Sequence, residues 1–300
     1  MKPTVAPFPA ARLRRTRQSA PMRALVRQNT LSADDFIWPL FVRSGEGVEE
    51  PVTSMPGVMR RSVDRIVEAA KQAADLGIPA ICLFPYTEQK DRTEECAEAW
   101  NPDNLSNRAT RAIKAAVPDI AVMTDVALDP YNINGHDGYV VNGEILNDET
   151  VAALVKMALA QAEAGADIIG PSDMMDGRIG AIRNALETGG HHNVMVMSYA
   201  AKYASAFYGP FREAAGSAPG FGDRKGYQMD PDNAREALRE VELDIEEGAD
   251  IVMVKPALAF MDVIQRIRQI TDLPVAAYNV SGEYAMVKAA AQAGMIDEEK

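Results

Sequence analysis

The sequence has few cysteines and no long hydrophobic run, and these two absences exclude several classes of protein. Its 300 residues include only Cys82 and Cys96, without CxxC spacing, so we expect neither a disulfide framework nor a thiolate zinc site. No apolar stretch approaches the roughly 18 residues of a membrane span, and the first residues lack the hydrophobic core of a signal peptide. We therefore expect a protein of the reducing cytoplasm with no membrane partner.

Positive charge is also scarce, except at the start of the chain. The net charge is −12, from 31 basic and 43 acidic residues, which argues against nucleic acid as a partner. Residues 1–30 are the exception, because they are basic and rich in proline. They predict an extended arm, with at most a short helix near 22–28, that lies along an acidic neighbouring subunit. RNA binding by this arm is the alternative.

The remaining residues, 31–300, have the pattern of one α/β domain. Seven apolar runs that alternate with amphipathic helices are predicted to be strands, at 36–42, 80–84, 120–126, 166–171, 194–199, 250–255 and 274–280. This alternation predicts a parallel sheet and a (β/α)8 TIM barrel, whose eighth strand and last helix we expect to be missing. A doubly wound sheet is the alternative, but neither a G-x-G-x-x-G motif nor a P-loop supports it.

Two lysines follow buried strands in this pattern. Lys255 ends the run Ile-Val-Met-Val, and Lys202 follows the strand at 194–199. Desolvation at such a position lowers the pKa of lysine and leaves a neutral amine that can attack a carbonyl. A single lysine there more often reaches solvent or a carboxylate, but two lysines at two strand ends predict one carbonyl-binding site.

A loop rich in aspartate follows the third predicted strand. It contains Asp125, Asp129, His136 and Asp137 among asparagines and glycines. Such residues are common in turns, but they also suit a hard-cation site or an acid–base cluster. The spacing alone leaves both interpretations open.

The order of several motifs resembles that of the 5-aminolevulinate dehydratase (porphobilinogen synthase) family, from about Arg12 to the last residue. The motifs are SMPG at 54–57, the aspartate-rich loop at 125–138, PSDMMDGR at 171–178, SYAAKYAS at 198–205, YGPFR at 208–212, MVKP at 253–256 and VSGEY at 280–284. The resemblance implies a lyase (EC 4.2.1.24) that condenses two 5-aminolevulinate molecules to porphobilinogen, with loss of two waters, in tetrapyrrole and heme biosynthesis. It also implies a TIM barrel with an N-terminal arm, assembled as a homo-octamer.

The same resemblance implies roles for individual residues. Lys255 would form a Schiff base with the substrate that supplies the propionate side of the product, and Lys202 one with the acetate-side substrate. For substrate binding, it implies that Arg212 and Arg224 bind one carboxylate. Ser281 would bind the other carboxylate together with a tyrosine of the eighth strand, which we expect to be missing. The residues implied along the pocket are Tyr278, Tyr199, Ser172 and Asp173.

The resemblance also bears on metal use. Zinc-dependent relatives carry three cysteines where this chain has Ala127, Asp129 and Asp137, and hard carboxylates do not suit Zn²⁺. We therefore expect the aspartate type, in which Asp129 and Asp137 join Asp125 in catalysis through water and protons. An allosteric Mg²⁺ is expected at Glu240, whose alternative role is one more solvated charge on its helix; no organic cofactor is expected.

Two other functions are open at this point. A class I aldolase also uses a lysine at a strand end, although the second lysine and the aspartate loop argue against it. A non-catalytic assembly scaffold is favoured by the expected absence of the eighth strand.

Overall fold

The computed structural model describes residues 6–299. Residues 1–5 and 300, which include Lys2 and Pro3 of the predicted arm, lie outside the described residues. No helix in the described part of the chain is both long and apolar enough to cross a membrane.

Strands and helices alternate along most of the described chain. The strands are β1 (Ile37–Arg43), β2 (Glu49–Pro51), β3 (Met59–Arg61), β4 (Ala80–Tyr86), β5 (Ala121–Val126), β6 (Tyr139–Val141), β7 (Glu144–Leu146), β8 (Ile168–Pro171), β9 (Met195–Lys202), β10 (Ile251–Lys255) and β11 (Val275–Ala277). The α-helices are α1 (Ala20–Leu25), α2 (Val63–Asp75), α3 (Leu105–Ala116), α4 (Asn147–Glu163), α5 (Arg178–Thr188), α6 (Gly209–Ala215), α7 (Ala234–Glu246), α8 (Met261–Ile270) and α9 (Ser281–Gln292).

The central sheet follows the chain without reversing direction. Its order is β11-β10-β9-β8-β5-β4-β1, with every neighbouring pair parallel, and the β2–β3 hairpin extends it beside β1. A doubly wound sheet would reverse its strand order at a switch point. The single winding direction is that of a TIM barrel, as the sequence predicted.

Two apolar layers lie on opposite faces of this sheet because strand side chains alternate between faces. Inside the barrel, Phe41, Phe84, Met123, Met197 and Met253 form one buried cluster. On the outer face, the alternate residues pack against the helices; they include Leu40, Val42, Ile81, Leu83 and Val122. Strands buried on both faces have the continuous apolar runs from which they were predicted.

All seven predicted barrel strands are present, but the last is shorter than predicted. It was expected over 274–280, whereas β11 spans Val275–Ala277 and, within the described part of the chain, pairs only with β10. Just after the strand, the Tyr278 N–H still donates to the Val254 carbonyl, and the Tyr278 carbonyl accepts the Ala257 N–H. The following residues then enter α9 instead of continuing the strand.

Four helices, α3, α5, α6 and α8, were not predicted from the sequence, and neither were the β2–β3 and β6–β7 hairpins. Helix α3 shows why, since its sequence LSNRATRAIKAA has few large apolar residues. Asn104 caps its N-terminus, because the Asn104 side chain accepts the Asn107 N–H. The helix buries Ala109 and Ile113 against α2. Tertiary packing of that narrow face, more than periodicity, stabilises the helix.

The N-terminal arm packs little against the barrel. A 3-10 helix spans Leu13–Arg17 and α1 spans Ala20–Leu25, where a short helix near 22–28 was predicted, and neither buries a residue. Leu13, Leu25 and Leu31 are each at least 75% exposed. The arm therefore presents apolar side chains to its surroundings.

Candidate active site

The two predicted lysines lie side by side at the carboxyl end of the sheet. Strands β9 and β10 are parallel neighbours, and their register pairs Lys202 directly with Lys255. Both lysines are buried, with 5% and 6% of their surface exposed. Two amines at adjacent strand ends can bind two carbonyl groups next to each other.

Aromatic rings surround the Lys255 amine. Its Nζ lies 4.3 Å from the ring centre of Tyr278, 5.1 Å from that of Tyr199 and 5.3 Å from that of Phe211. Burial, and then the neighbouring Lys202, lowers the pKa of Lys255 to about 8, against the opposing charge of Asp125. Near neutral pH, an appreciable fraction of this amine is therefore unprotonated and nucleophilic.

Polar groups surround the Lys202 amine instead. Its Nζ donates to the Ser172 carbonyl and to Asp137 Oδ2, the latter at 3.3 Å. Asp137 is itself buried and also pairs with Arg224, with 2.8 Å between Oδ1 and Nη1. Lys202 is therefore held by hydrogen bonds at a defined position.

The aspartate loop and Arg224 form one buried ionic cluster. Arg224 Nη2 lies 3.4 Å from Asp129 Oδ2 and donates to the carbonyls of Gly135 and Ser217. Burial opposes the charge of Arg224, but Asp137 and Asp129 overcome it and raise its pKa. The pKa of Asp129 is raised in turn by burial and by Asp137. The loop is thus part of the site, not only a turn.

Asp125 interacts electrostatically with both lysines. Burial, followed by the charge of Asp129, raises the pKa of Asp125 to about 7, while the Ser172 hydroxyl and both lysines oppose the rise. Its Oδ1 is buried without a hydrogen-bond partner among residues 6–299. A buried carboxyl group with a pKa near neutrality and an unused oxygen can transfer a proton.

The Asp173 carboxylate contacts Arg178, a residue for which no role was predicted from the sequence. Its Oδ1 accepts the Met175 N–H, and its Oδ2 lies 3.8 Å from Nε of the buried Arg178. Arg178 also donates to Asp244 of α7 at 3.2 Å. Burial raises the pKa of Asp173 to about 6, against the charge of Arg178. Only the motif at 171–178 could have pointed to Arg178.

A cavity of about 300 Å³ opens beside Lys255, between β1 and the segment after β11. The residues Tyr278 and Ser281 line it, as predicted for the pocket. Two further lining residues, Tyr208 and Phe211, belong to the motif at 208–212, but no role was predicted for them. The Ser281 hydroxyl donates to the Phe207 carbonyl and accepts the Phe211 N–H. Ser281 therefore links the cavity to α6.

Arg212 lies on α6 and is half-buried. Within residues 6–299 its guanidinium makes no hydrogen bond and no ion pair. Nε of Arg224 is likewise buried without a hydrogen-bond partner among the described residues. These donors are available to a carboxylate ligand.

Glu240 lies apart from the lysines, on α7. It lines a polar cavity of about 430 Å³ together with Asp176 and Glu236, and burial, followed by Asp244, raises its pKa. In the described part of the chain, no group of three or more histidine, cysteine, aspartate or glutamate residues is arranged to hold a metal ion. A cation here would therefore depend on one or two carboxylates and on water, which is how Mg²⁺ is often bound.

Comparison with known proteins identifies relatives that match nearly the whole chain. A family model described as delta-aminolevulinic acid dehydratase matches residues 10–300. The delta-aminolevulinic acid dehydratase of Rhodobacter capsulatus is 54% identical over 295 residues, which cover 98% of this chain and 89% of that protein. The enzyme of the same name from Synechocystis sp. is 56% identical over 297 residues, covering 98% and 90%.

A solved structure is similar in fold as well. It is the crystal structure of delta-aminolevulinic acid dehydratase (porphobilinogen synthase) from Toxoplasma gondii ME49 in complex with the reaction product porphobilinogen. It matches with a TM-score of 0.95 and 48% identity, covering 96% of this chain and 83% of that one. The family model and these relatives together span nearly the whole chain, and they show that it belongs to the delta-aminolevulinic acid dehydratase family.

Proposed function

We propose that this protein is a porphobilinogen synthase, which condenses two molecules of 5-aminolevulinate to porphobilinogen in heme and tetrapyrrole synthesis. The observation that carries the proposal is the register pairing of Lys202 and Lys255, two buried amines at adjacent strand ends. A reaction that joins two identical ketones needs two carbonyl sites within bonding distance. The family membership supports the same reaction.

In this proposal each lysine forms an imine with one substrate ketone and releases one water. Lys255 takes the propionate-side substrate and Lys202 the acetate-side one. Loss of a proton beside one imine gives an enamine, whose carbon bonds to the other imine carbon. Substrate nitrogen then attacks the remaining imine carbon. Both lysines leave as amines, so the two waters are the only net loss.

The surroundings of the lysines fit imine formation and the proton transfer that follows it. With a pKa of about 8, Lys255 is unprotonated in about one molecule in ten near pH 7, which suffices for attack on a ketone. Asp125, with a pKa of about 7, can accept the proton that is lost when the enamine forms. Asp129 and Asp137 hold Arg224 and Lys202 in place and relay protons through water.

The substrate carboxylates need cationic or hydroxyl donors. We assign one carboxylate to Arg212 and Arg224, because the first guanidinium makes no ion pair with the described residues and the second has an unused buried Nε. We assign the other carboxylate to Ser281, beside Tyr278 in the cavity; the Ser281 hydroxyl would exchange its hydrogen bond to the Phe207 carbonyl for one to the substrate. The rings of Tyr199 and Tyr278 and the carbonyl of Ser172 then limit where the two substrates lie. For Asp173 we propose an indirect role, through the loop that carries Ser172.

Glu240 is proposed as the protein ligand of a hydrated, allosteric Mg²⁺. Its support is the acidic wall that it forms with Asp176 and Glu236, and a bound cation would lower the repulsion among these carboxylates. We propose no zinc, since the loop carries carboxylates and the imidazole of His136 but no thiolate. Isothermal titration with MgCl₂, of wild type and of Glu240→Gln, tests this site without an activity readout.

The assembly is proposed to be a homo-octamer in the cytoplasm, held together through the N-terminal arm. The exposed leucines of the arm need a cover, and the arm's basic charge complements the acidic remainder of the chain. Both cysteines are free thiols, which fits a reducing compartment. Light scattering should show a large assembly that becomes smaller when residues 1–17 are removed.

The test of the function is intact mass spectrometry after incubation with 5-aminolevulinate and borohydride, which reduces an imine to a stable amine. We expect an adduct that maps to Lys255 and disappears in Lys255→Met, together with formation of porphobilinogen by the wild type. Absence of any adduct in the folded protein would contradict the proposal. Cleavage of aldol substrates without porphobilinogen formation would favour a class I aldolase instead.

A further inference from the structure

The helix that covers Lys255 is too short to hold its own position. Helix α6 has seven residues, and an isolated helix of that length is not stable in water. It nevertheless carries Phe211, whose ring centre lies 5.3 Å from Lys255 Nζ, and Arg212, whose guanidinium has no ion-pair partner among residues 6–299. Contacts from elsewhere in the fold must therefore fix it.

Two buried arginines bind the carboxyl end of this helix. Arg60 of β3 donates from Nε to the Ala214 carbonyl at 2.7 Å and from Nη2 to the Glu213 carbonyl at 2.5 Å. Arg92, which follows β4, donates from Nη1 to the Gly216 carbonyl at 2.5 Å and from Nη2 to the Ala215 carbonyl at 3.3 Å. Four consecutive carbonyls thus accept hydrogen bonds from two guanidinium groups.

The physical basis is the charge at a helix end. The last carbonyls of a helix lack partners within it and carry a partial negative charge, which a cation stabilises. Each arginine is itself anchored to the barrel. Arg60 Nη1 lies 2.5 Å from Glu50 Oε1, and Arg92 donates twice to the Thr87 carbonyl. The pair therefore ties α6 to the β2–β3 hairpin and to the segment that follows β4.

The fit around these contacts is tight at Gly216. Its φ is +63°, and a Cβ there would lie 2.8 Å from the Tyr86 ring and 3.1 Å from Arg92 Nη2. A side chain at this position would displace either the helix end or the arginine. The opposite end of α6 is fixed by Ser281, which accepts the Phe211 N–H at 2.9 Å.

We propose that Arg60 and Arg92 are positioning residues that hold α6, and with it Phe211 and Arg212, over Lys255. This inference rests on the proposed function, in which Arg212 binds a substrate carboxylate. Neither arginine has a place in the chemical steps. Their removal should therefore weaken substrate binding more than it slows conversion of bound substrate.

The test compares Arg60→Gln, Arg92→Gln and Gly216→Ala with wild type and with the matched control Arg61→Gln. Arg61 is the next residue of β3 and pairs with Glu49 rather than with α6. We expect KM for 5-aminolevulinate to rise about tenfold or more in the three variants, which corresponds to about 1.4 kcal/mol, with a smaller change in kcat. The control should keep the wild-type KM, and Arg60→Lys should recover part of the loss.

Hydrogen exchange gives a readout that needs no substrate. Amides of α6 should exchange at least tenfold faster in the three variants, whereas amides of β9 and β10 keep their protection. If α6 exchange and KM both stay at the wild-type value while only the melting temperature falls, the arginines are merely structural and the proposal is wrong. If α6 exchange rises but the wild type forms no imine, the positioning role stands and the proposed function fails.

Discussion

The two lysines of the site lie next to each other in the sheet, yet their surroundings differ sharply. Lys255 faces the rings of Tyr199, Tyr278 and Phe211, while Lys202 donates to the Asp137 carboxylate and the Ser172 carbonyl. Apolar burial lowers the pKa of one amine, and hydrogen bonds fix the place of the other. One fold thus supplies a reactive amine and an oriented amine only one strand apart.

The largest effect should come from exchanging each lysine for arginine, which keeps the charge but cannot form an imine. Both Lys255→Arg and Lys202→Arg should reduce porphobilinogen formation by more than about 10³-fold. Because burial lowers the pKa of Lys255 to about 8, Lys255→Arg should slow the first borohydride-trapped adduct by a similar factor. Lys202→Arg should slow that adduct less than about tenfold. Equal slowing in the two variants would contradict the difference between the lysines.

A second large effect, on the free energy of unfolding, is expected for the polar groups around Lys202. Asp137→Asn leaves Lys202 and Arg224 buried without their shared carboxylate, and breaking a buried pair costs about 3–5 kcal/mol. Urea unfolding should show a loss of this size. The control is Asp223→Asn in the same region, an exposed position, for which the unfolding free energy should stay within about 0.5 kcal/mol of the wild type. A loss below about 1 kcal/mol for Asp137→Asn would show that the cluster relaxes.

An intermediate effect is expected for Asp125, on the pH dependence of the unfolding free energy. Its pKa of about 7 in the fold, against an ordinary 3.8, means that the native state retains a proton that the unfolded chain has lost. The contribution of Asp125 to stability is therefore full below pH 3.8 and is lost as the pH rises through about 7. Asp125→Asn should remove this loss, so its unfolding free energy should fall less than that of the wild type between pH 5 and pH 8.

The control for that measurement is Asp119→Asn, at an exposed position before β5. It should follow the wild type at both pH values. The Asp125→Asn variant should also lose about 10²-fold or more in turnover, the usual contribution of a group that transfers a proton. A pH dependence of stability unchanged by Asp125→Asn would show that this carboxyl group titrates normally.

The smallest effect concerns the aromatic rings around Lys255. Tyr278→Leu removes the ring nearest to Nζ, at 4.3 Å, and with it about 0.5–2 kcal/mol of stabilisation of the ammonium. The pH midpoint for trapping substrate on Lys255 should therefore fall from about 8 by roughly 0.4 to 1.5 units. Tyr278→Phe keeps the ring and should keep the midpoint. A midpoint that rises in Tyr278→Leu would show that the ring acts mainly by excluding water.

Much of the barrel could be predicted because its signal is local. The continuous apolar run that ends at Lys255 identifies a strand buried on both faces, and the residue after it is at the carboxyl end. The short β11 and the helix α3 were harder to predict. Strand length depends on the neighbouring strand, and the stability of α3 depends on a narrow face that packs against α2. Neither condition appears in a window of the chain itself.

For the site, the sequence by itself determined which residues stand at the strand ends, and its motifs supplied the chemistry expected of the two lysines and the aspartate loop. Only the tertiary structure decided which distant groups meet. Asp129 pairs with Arg224 across 95 positions, Asp173 turns to Arg178, and Arg60 reaches α6 across 154 positions. The physical reason is that burial leaves a periodic trace in the sequence, whereas an ion pair between distant loops exists only once the barrel has brought them together.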